Sequence, residues 1–95
     1  MKVLLVEDSA RLAARIKEAL EQLDGVDVVA TVADEQSAID VARREAVDVI
    51  VLTNYALPEY RRRAAELGVE YFLDKSRDYE RLPEVLQRFQ ARSGT

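Results

Sequence analysis

Two adjacent carboxylates (Glu7 and Asp8), a hydroxyl (Thr53) and an amine (Lys75) are the side chains here that could do chemistry together. Each follows a short apolar run. Residues 3–6 precede the acidic pair, residues 49–52 precede Thr53 and Asn54, and residues 69–73 precede Asp74 and Lys75. Carboxylate oxygens bind hard cations such as Mg²⁺, and an ammonium can hold a phosphoryl group. The sequence contains no Cys and no His. That excludes disulfides, thiolate and imidazole metal sites, and Ser-His-Asp or Cys-His catalysis. Any metal must be held by oxygen.

These residues need elements that bring them to one place. The run Val3, Leu4, Leu5, Val6 suits a parallel strand buried on both faces. It is followed by a helix with Leu12, Ile16, Ala19, Leu20 and Leu23 at helical spacing, capped by Asp8 or Ser9 and stopped at Gly25. Val26, Val28 and Val29, running to Val32, make a second strand. Asp27 marks a wet face or end of it. Asp34 caps a second helix that runs to Glu45, with Ala38, Ile39, Val41 and Ala42 facing inward. Val47, then 49–52, is the third strand. The third helix spans about 57–67, with Pro58 in its first turn and Gly68 as its stop. Residues 69–73 form the fourth strand. Ser76 or Asp78 opens a last helix with Leu82, Val85, Leu86 and Phe89 on one face, and Pro83 sits early enough in it to be tolerated. The tail, 92–95, reads as frayed.

Strands alternating with helices predict an α/β doubly wound parallel sheet with helices on both faces, four strands and four helices in all. In such a sheet, sites lie beyond the carboxyl ends of the strands. Glu7, Asp8, Thr53 and Lys75 all fall on that rim.

The 95 residues make one domain, residues 1–95. The hydrophobic fraction of 48% and charged fraction of 34% are ordinary for a globular chain. A net charge of −4 argues against a nucleic-acid partner, which needs clustered Lys and Arg. No apolar run reaches the roughly 20 residues of a membrane helix. The first residues are too short and too acidic for a signal peptide, so the expected location is cytoplasmic and no membrane partner is expected.

Residues 2–9, KVLLVEDS, resemble the opening of a response-regulator receiver domain of the flavodoxin-like class, and 68–76, GVEYFLDKS, resemble its closing strand. The resemblance implies that Glu7 and Asp8 belong to a Mg²⁺ site and that Lys75 contacts the phosphoryl group. It also implies that Thr53 is the hydroxyl that hydrogen-bonds the phosphoryl oxygen and that Phe72 is the aromatic that changes rotamer on activation. A receiver has five strands and five helices in about 120 residues. Here residues 46–52 (AVDVIVL) begin like the family's third strand, but the position for the phosphate-accepting Asp is Thr53, and the residues after it resemble the segment after the fourth strand. The simplest account is a truncated receiver, lacking one strand-helix unit and the acceptor with it. Asp48 belongs near the opposite end of its strand and does not replace the acceptor. An aspartyl phosphate needs a carboxylate nucleophile beside the metal. Thr53 and Lys75 therefore read as a relic phosphate site, with metal binding weak or lost.

The expectation is a degenerate receiver of two-component phosphorelay signalling, not an enzyme, acting as a protein-interaction or dimerisation module. The alternatives are residual Mg²⁺-dependent phosphoryl acceptance at another side chain such as Asp8, and a shortened or engineered scaffold with no signalling role. Loss of a helix uncovers apolar surface, so self-association, with or without exchanged elements, is a further expectation. Arg61, Arg62 and Arg63 read either as a solvated face balancing Glu59 and Glu66 or as a partner surface.

Overall fold

The computed structural model describes residues 1–52, 57–74 and Glu84. Its elements are β1 (Lys2–Val6), α1 (Ala10–Glu21), β2 (Asp27–Val32), α2 (Glu35–Arg44), β3 (Val49–Leu52), α3 (Pro58–Glu66) and β4 (Tyr71–Asp74). The fourth expected helix and the tail lie outside the described residues, except for Glu84, which is helical and exposed.

All described strand pairs are parallel, in the order β2-β1-β3-β4. The expected doubly wound sheet is therefore present, and the 49–52 run lies beside β1. Alternation along the strands builds a core on each face. Leu4, Val6, Ile50 and Leu52 point to one side, where they meet Ala38, Ile39 and Ala42 of α2 and Ala64 of α3. Val3, Leu5, Val49, Val51 and Leu73 point to the other, where they meet Ala13 and Leu20 of α1. A continuous apolar run is what a strand covered on both faces requires.

β2 departs from simple alternation. Val3 pairs with Val28 but Leu4 pairs with Ala30, so the register slips by one residue between them. Val28 packs on the α1 side, while Val29, Ala30 and Val32 all pack on the α2 side. The extra residue reverses the parity of the strand, as a bulge does.

Helix ends follow local chemistry. The Ser9 hydroxyl accepts the Leu12 N–H at 3.3 Å, and Asp34 Oδ1 accepts the Ser37 N–H at 2.8 Å. Of the two candidate caps for α1, Ser9 is the one used. α3 ends with Gly68 at φ +87°. The Gly68 N–H donates to the Ala65 carbonyl and the Val69 N–H to the Ala64 carbonyl, a Schellman closure.

Four boundaries and one helix face differ from the sequence expectation. α1, expected to run to Gly25, ends at Glu21 with Gln22 as its cap, so Gly25 turns the chain after the helix has already closed. The strand expected from Val69 begins at Tyr71, because the Val69 N–H is engaged with the helix it leaves. β2 begins at Asp27 rather than Val26, whose N–H is held by the Leu23 carbonyl in the preceding turn. β3 begins at Val49, two residues after Val47. α1 buries Ala13 and Leu20 and half-buries Ile16, whereas Leu12, Ala19 and Leu23 are exposed. A short helix laid across β1 and β2 contacts them along a stripe narrower than the full set of apolar positions.

The two cores carry the fold, and among the described residues the α2 side is the larger. Ile50 is fully buried there. Ile50→Ala should destabilise by about 2–5 kcal/mol, whereas Leu12→Ala should change stability by less than about 0.5 kcal/mol. Urea denaturation of the two variants checks both.

Candidate functional site

Strand order reverses between β1 and β3. β1 is followed by a strand on one side of it, and β3 by a strand on the other. That is the topological switch point, where an open α/β sheet leaves a crevice beyond its strand ends. A cleft of about 500 Å³ lies there, with Val6 and Leu52 contributing from the two strand ends and Asp8, Asp34 and Glu35 among its lining. A second cleft of about 420 Å³ opens toward α1 and includes both Glu7 and Asp8. The acidic pair thus stands between two openings to solvent.

Glu7 is held at the end of β1. Its N–H donates to the Val32 carbonyl at 2.8 Å, extending the β1–β2 ladder, and its Oε2 accepts the Ser9 N–H at 2.9 Å. It is the one buried charged residue among those described, 8% exposed. Asp8 is exposed. Its carboxyl is pushed above the ordinary value, first by a hydrogen bond with the Glu7 side chain and second by repulsion from the Glu7 charge. Two carboxylates this close disfavour carrying both charges. Carboxylate oxygens are the kind of donor that suits a hard cation such as Mg²⁺. Among the described residues no group of three or more acidic side chains is placed to hold a metal.

Asp34 and Glu35 open α2 on the far wall of the first cleft. Asp34 is held below the ordinary carboxylate value by the Ser37 backbone N–H and then by the Ser37 hydroxyl. Glu35 is pushed up by burial, partly offset by the Leu57 N–H that its carboxylate accepts. Its Oε2 is buried without a hydrogen-bond partner in the described structure. Sequence reasoning missed Glu35. An acid in the first turn of a helix reads as a complement to the helix dipole, and the Leu57 N–H that it accepts comes from a segment distant in sequence.

Phe72 is half-buried against the α2-side core. The Arg61 guanidinium carbon stands 5.3 Å from its ring centroid, and Arg61 Nη1 donates to the Phe72 carbonyl at 2.8 Å. Arg63 pairs with Glu59 at 2.9 Å and covers the Tyr60 ring at 5.8 Å. Of the three arginines, Arg62 is exposed, while Arg61 and Arg63 are partly buried. Asp48 lies at the amino end of β3, where its Oδ2 accepts the Lys2 N–H at 2.7 Å. It is at the opposite end from the rim, as its place in the sequence implied. Thr53 and Lys75 lie outside the described residues. The structure therefore brings Glu7 and Asp8 together and puts Phe72 in the neighbouring core.

No protein-family model matches the sequence. A curated relative, the protein-glutamate methylesterase/protein-glutamine glutaminase of group 2 operon from Rhodospirillum centenum, is 45% identical over 51 residues. That match covers 54% of this chain and 13% of the relative. Among solved structures, promoter-bound RcsB from Salmonella enterica serovar Typhimurium aligns over 96% of this chain and 60% of its own, with a TM-score of 0.64 and 19% identity. The response regulator domain of Thermotoga maritima CheB covers 96% of this chain and 94% of its own, with a TM-score of 0.57 and 18% identity. The REC domain of AraT from Geobacillus stearothermophilus covers 96% and 93%, with a TM-score of 0.54 and 24% identity. The chain has the fold of response-regulator receiver domains. No helix among the described residues is long and apolar enough to cross a membrane.

The Asp34 cap has a definite pH dependence. Its depressed value means that the ionised cap stabilises the fold above the ordinary carboxylate value, and that this stability is lost as pH falls through the folded value. Asp34→Asn keeps a capping oxygen that does not titrate. The stability of the parent relative to Asp34→Asn should therefore fall on acidification, as read by urea melts between roughly pH 2 and pH 6.

Proposed function

We propose that this chain is a degenerate, shortened receiver domain of two-component phosphorelay signalling, and that it serves as a protein-interaction or dimerisation module without accepting phosphate itself. The observation that carries the reading is the end of β3. This strand lies directly beside β1, with Val6 opposite Leu52, and the residue after Leu52 is Thr53. A carboxylate beside Glu7 and Asp8 at that position would be the nucleophile for an aspartyl phosphate. A threonine hydroxyl is uncharged and has no imidazole in the chain to activate it.

The direct pairing of β3 with β4 supports the shortened reading. The rim runs from the acidic pair through Leu52 to Asp74 across three adjacent strands. In this reading Thr53 and Lys75 are what remains of a phosphate site, and Glu7 with Asp8 is a weakened Mg²⁺ site with two carboxylates. Repulsion between them disfavours the doubly ionised pair, and bound Mg²⁺ would favour it. Phe72, fixed on two sides by Arg61, has no phosphate trigger to move it. The protein is placed in the cytoplasm by this reading, where its partners are other proteins.

Two measurements test it. Intact mass after incubation with Mg²⁺ and a small-molecule phosphodonor should be unchanged. A gain of one phosphoryl group, acid-stable or labile, overturns the degenerate reading, and peptide mapping would then assign the acceptor, Asp8 included. Self-association predicts a light-scattering mass of two chains after size exclusion at high concentration. A mass of one chain rules out the dimer and leaves interaction with other proteins.

A further inference from the structure

Gly follows Asp or Asn at one place in the chain, Asp24–Gly25. The pair lies between α1 and β2, and both residues are exposed. The Val26 N–H donates to the Leu23 carbonyl at 3.2 Å, which makes Asp24 and Gly25 the central residues of a turn. Gly25 stands there at φ +82°, and a methyl group on its Cα would meet no atom within 4 Å. Its N–H has no hydrogen-bond partner among the described residues. A carboxyl group thus has beside it an amide nitrogen with no side chain to shield it, no hydrogen bond to give up and open space around it. The other described aspartates lack this combination. Ser9 follows Asp8, and its N–H is held by Glu7 Oε2 at 2.9 Å. Asp27, Asp40 and Asp48 precede valines, whose branched side chains crowd the nitrogen. Asp34 precedes Glu35 in the first turn of α2.

We propose that Asp24–Gly25 is a site of spontaneous backbone modification, where the aspartate converts to isoaspartate through a cyclic imide. The Gly25 nitrogen attacks Cγ of Asp24 in its neutral carboxyl form. A nitrogen–Cγ bond forms, the bond from Cγ to the carboxyl hydroxyl breaks, and the hydroxyl leaves as water with the amide proton. Water then opens the five-membered ring. Opening at Cγ restores aspartate. Opening at the Asp24 main-chain carbonyl routes the backbone through Cβ and Cγ and leaves that carbonyl as a free carboxylate. The net change is an isomerisation that needs no other reactant, oxidant or reductant. Asp24 has an interaction of its own, and breaking one of hydrogen-bond size slows closure by at most about tenfold. The product has one more carbon in its main chain between Leu23 and Gly25. The Val26 N–H and the Leu23 carbonyl then no longer close the same turn, and the Asp27 N–H, which donates to the Met1 carbonyl at 2.9 Å, falls out of step with β1. Val26 and Val28 belong to the α1-side core, so the change loosens the start of β2 where it meets that core.

The reaction depends neither on phosphoryl chemistry nor on a partner, so it can fail without touching the proposed function. The folded full chain and a synthetic peptide of residues 20–28 are incubated side by side in warm neutral buffer. Digestion followed by electron-transfer fragmentation locates isoaspartate in each. In the folded chain it should accumulate at Asp24 more than at all other aspartates together, at a rate within about tenfold of the peptide's. A species lighter by one water, the imide, should precede it in the intact mass. In Gly25→Ala the added methyl crowds the nitrogen, and the rate at position 24 should fall several-fold. Thermal melts establish whether that variant is folded, and if it is not, the parent chain decides. In the isoaspartate form, separated by chromatography, amide exchange at Val26 and Asp27 should be faster than in the parent. No isoaspartate at Asp24, a rate more than about tenfold below the peptide's, a larger yield at another aspartate, an undiminished rate in folded Gly25→Ala, or unchanged exchange at Val26 and Asp27 overturns the proposal.

Discussion

β1 has no side left open to water. Val3, Leu4 and Leu5 are fully buried, two strands flank it, and helices lie above and below. Its backbone groups have no solvent to fall back on, so the ladders to β2 and β3 must satisfy them. Its side chains are shared between the two cores, so the α1 side and the α2–α3 side cannot form independently. The position of the rim is a result of this. Glu7 is the first residue past the buried run, and its N–H still takes part in the ladder to Val32. A strand so fully specified fixes where its carboxyl end lies, and with it where a charged side chain can first reach solvent.

That arrangement explains how a charged glutamate is tolerated in burial. Glu7 is satisfied by the Ser9 N–H and by its contact with Asp8, both within the turn leaving β1. The same turn supplies the cap of α1. The start of the helix and the orientation of the acidic pair are therefore one structural unit. Across the cleft, Glu35 plays a comparable part, since its carboxylate accepts the N–H of Leu57, a residue with no capping side chain of its own. Each described helix entry at this end of the sheet is thus bound up with a carboxylate, and the rim is acidic for structural reasons as well as any chemical one.

Much of the fold could be read from the chain. The runs at 3–6 and 49–52 are apolar without interruption, and burial on both faces is the one environment that asks for this. Gly25 and Gly68 both take positive φ, but only Gly68 closes its helix where expected, since α1 already ends at Glu21. Asp34 caps the helix it was expected to cap. What could not be read depends on contacts distant in sequence or on competition for one donor. The Val69 N–H could serve helix or strand, and the helix took it. Leu12 and Leu23 have helical spacing, but their exposure depends on how α1 lies across the sheet. Arg61 and Phe72 are separated by a helix end and a turn, and no local pattern links them. At the site, the adjacency of Glu7 and Asp8 was evident, whereas their unequal burial was not. The partner of Glu35 comes from another helix, so its role had no local signal at all.

The one-residue slip in β2 has a consequence beyond side-chain parity. Among the described residues β2 borders the sheet on one side, and its extra residue makes the spacing of its outward backbone groups uneven. A regular strand from another molecule cannot match that spacing along its length. Indefinite side-by-side growth of the sheet, the route to fibrils, is therefore obstructed at this border by the backbone itself.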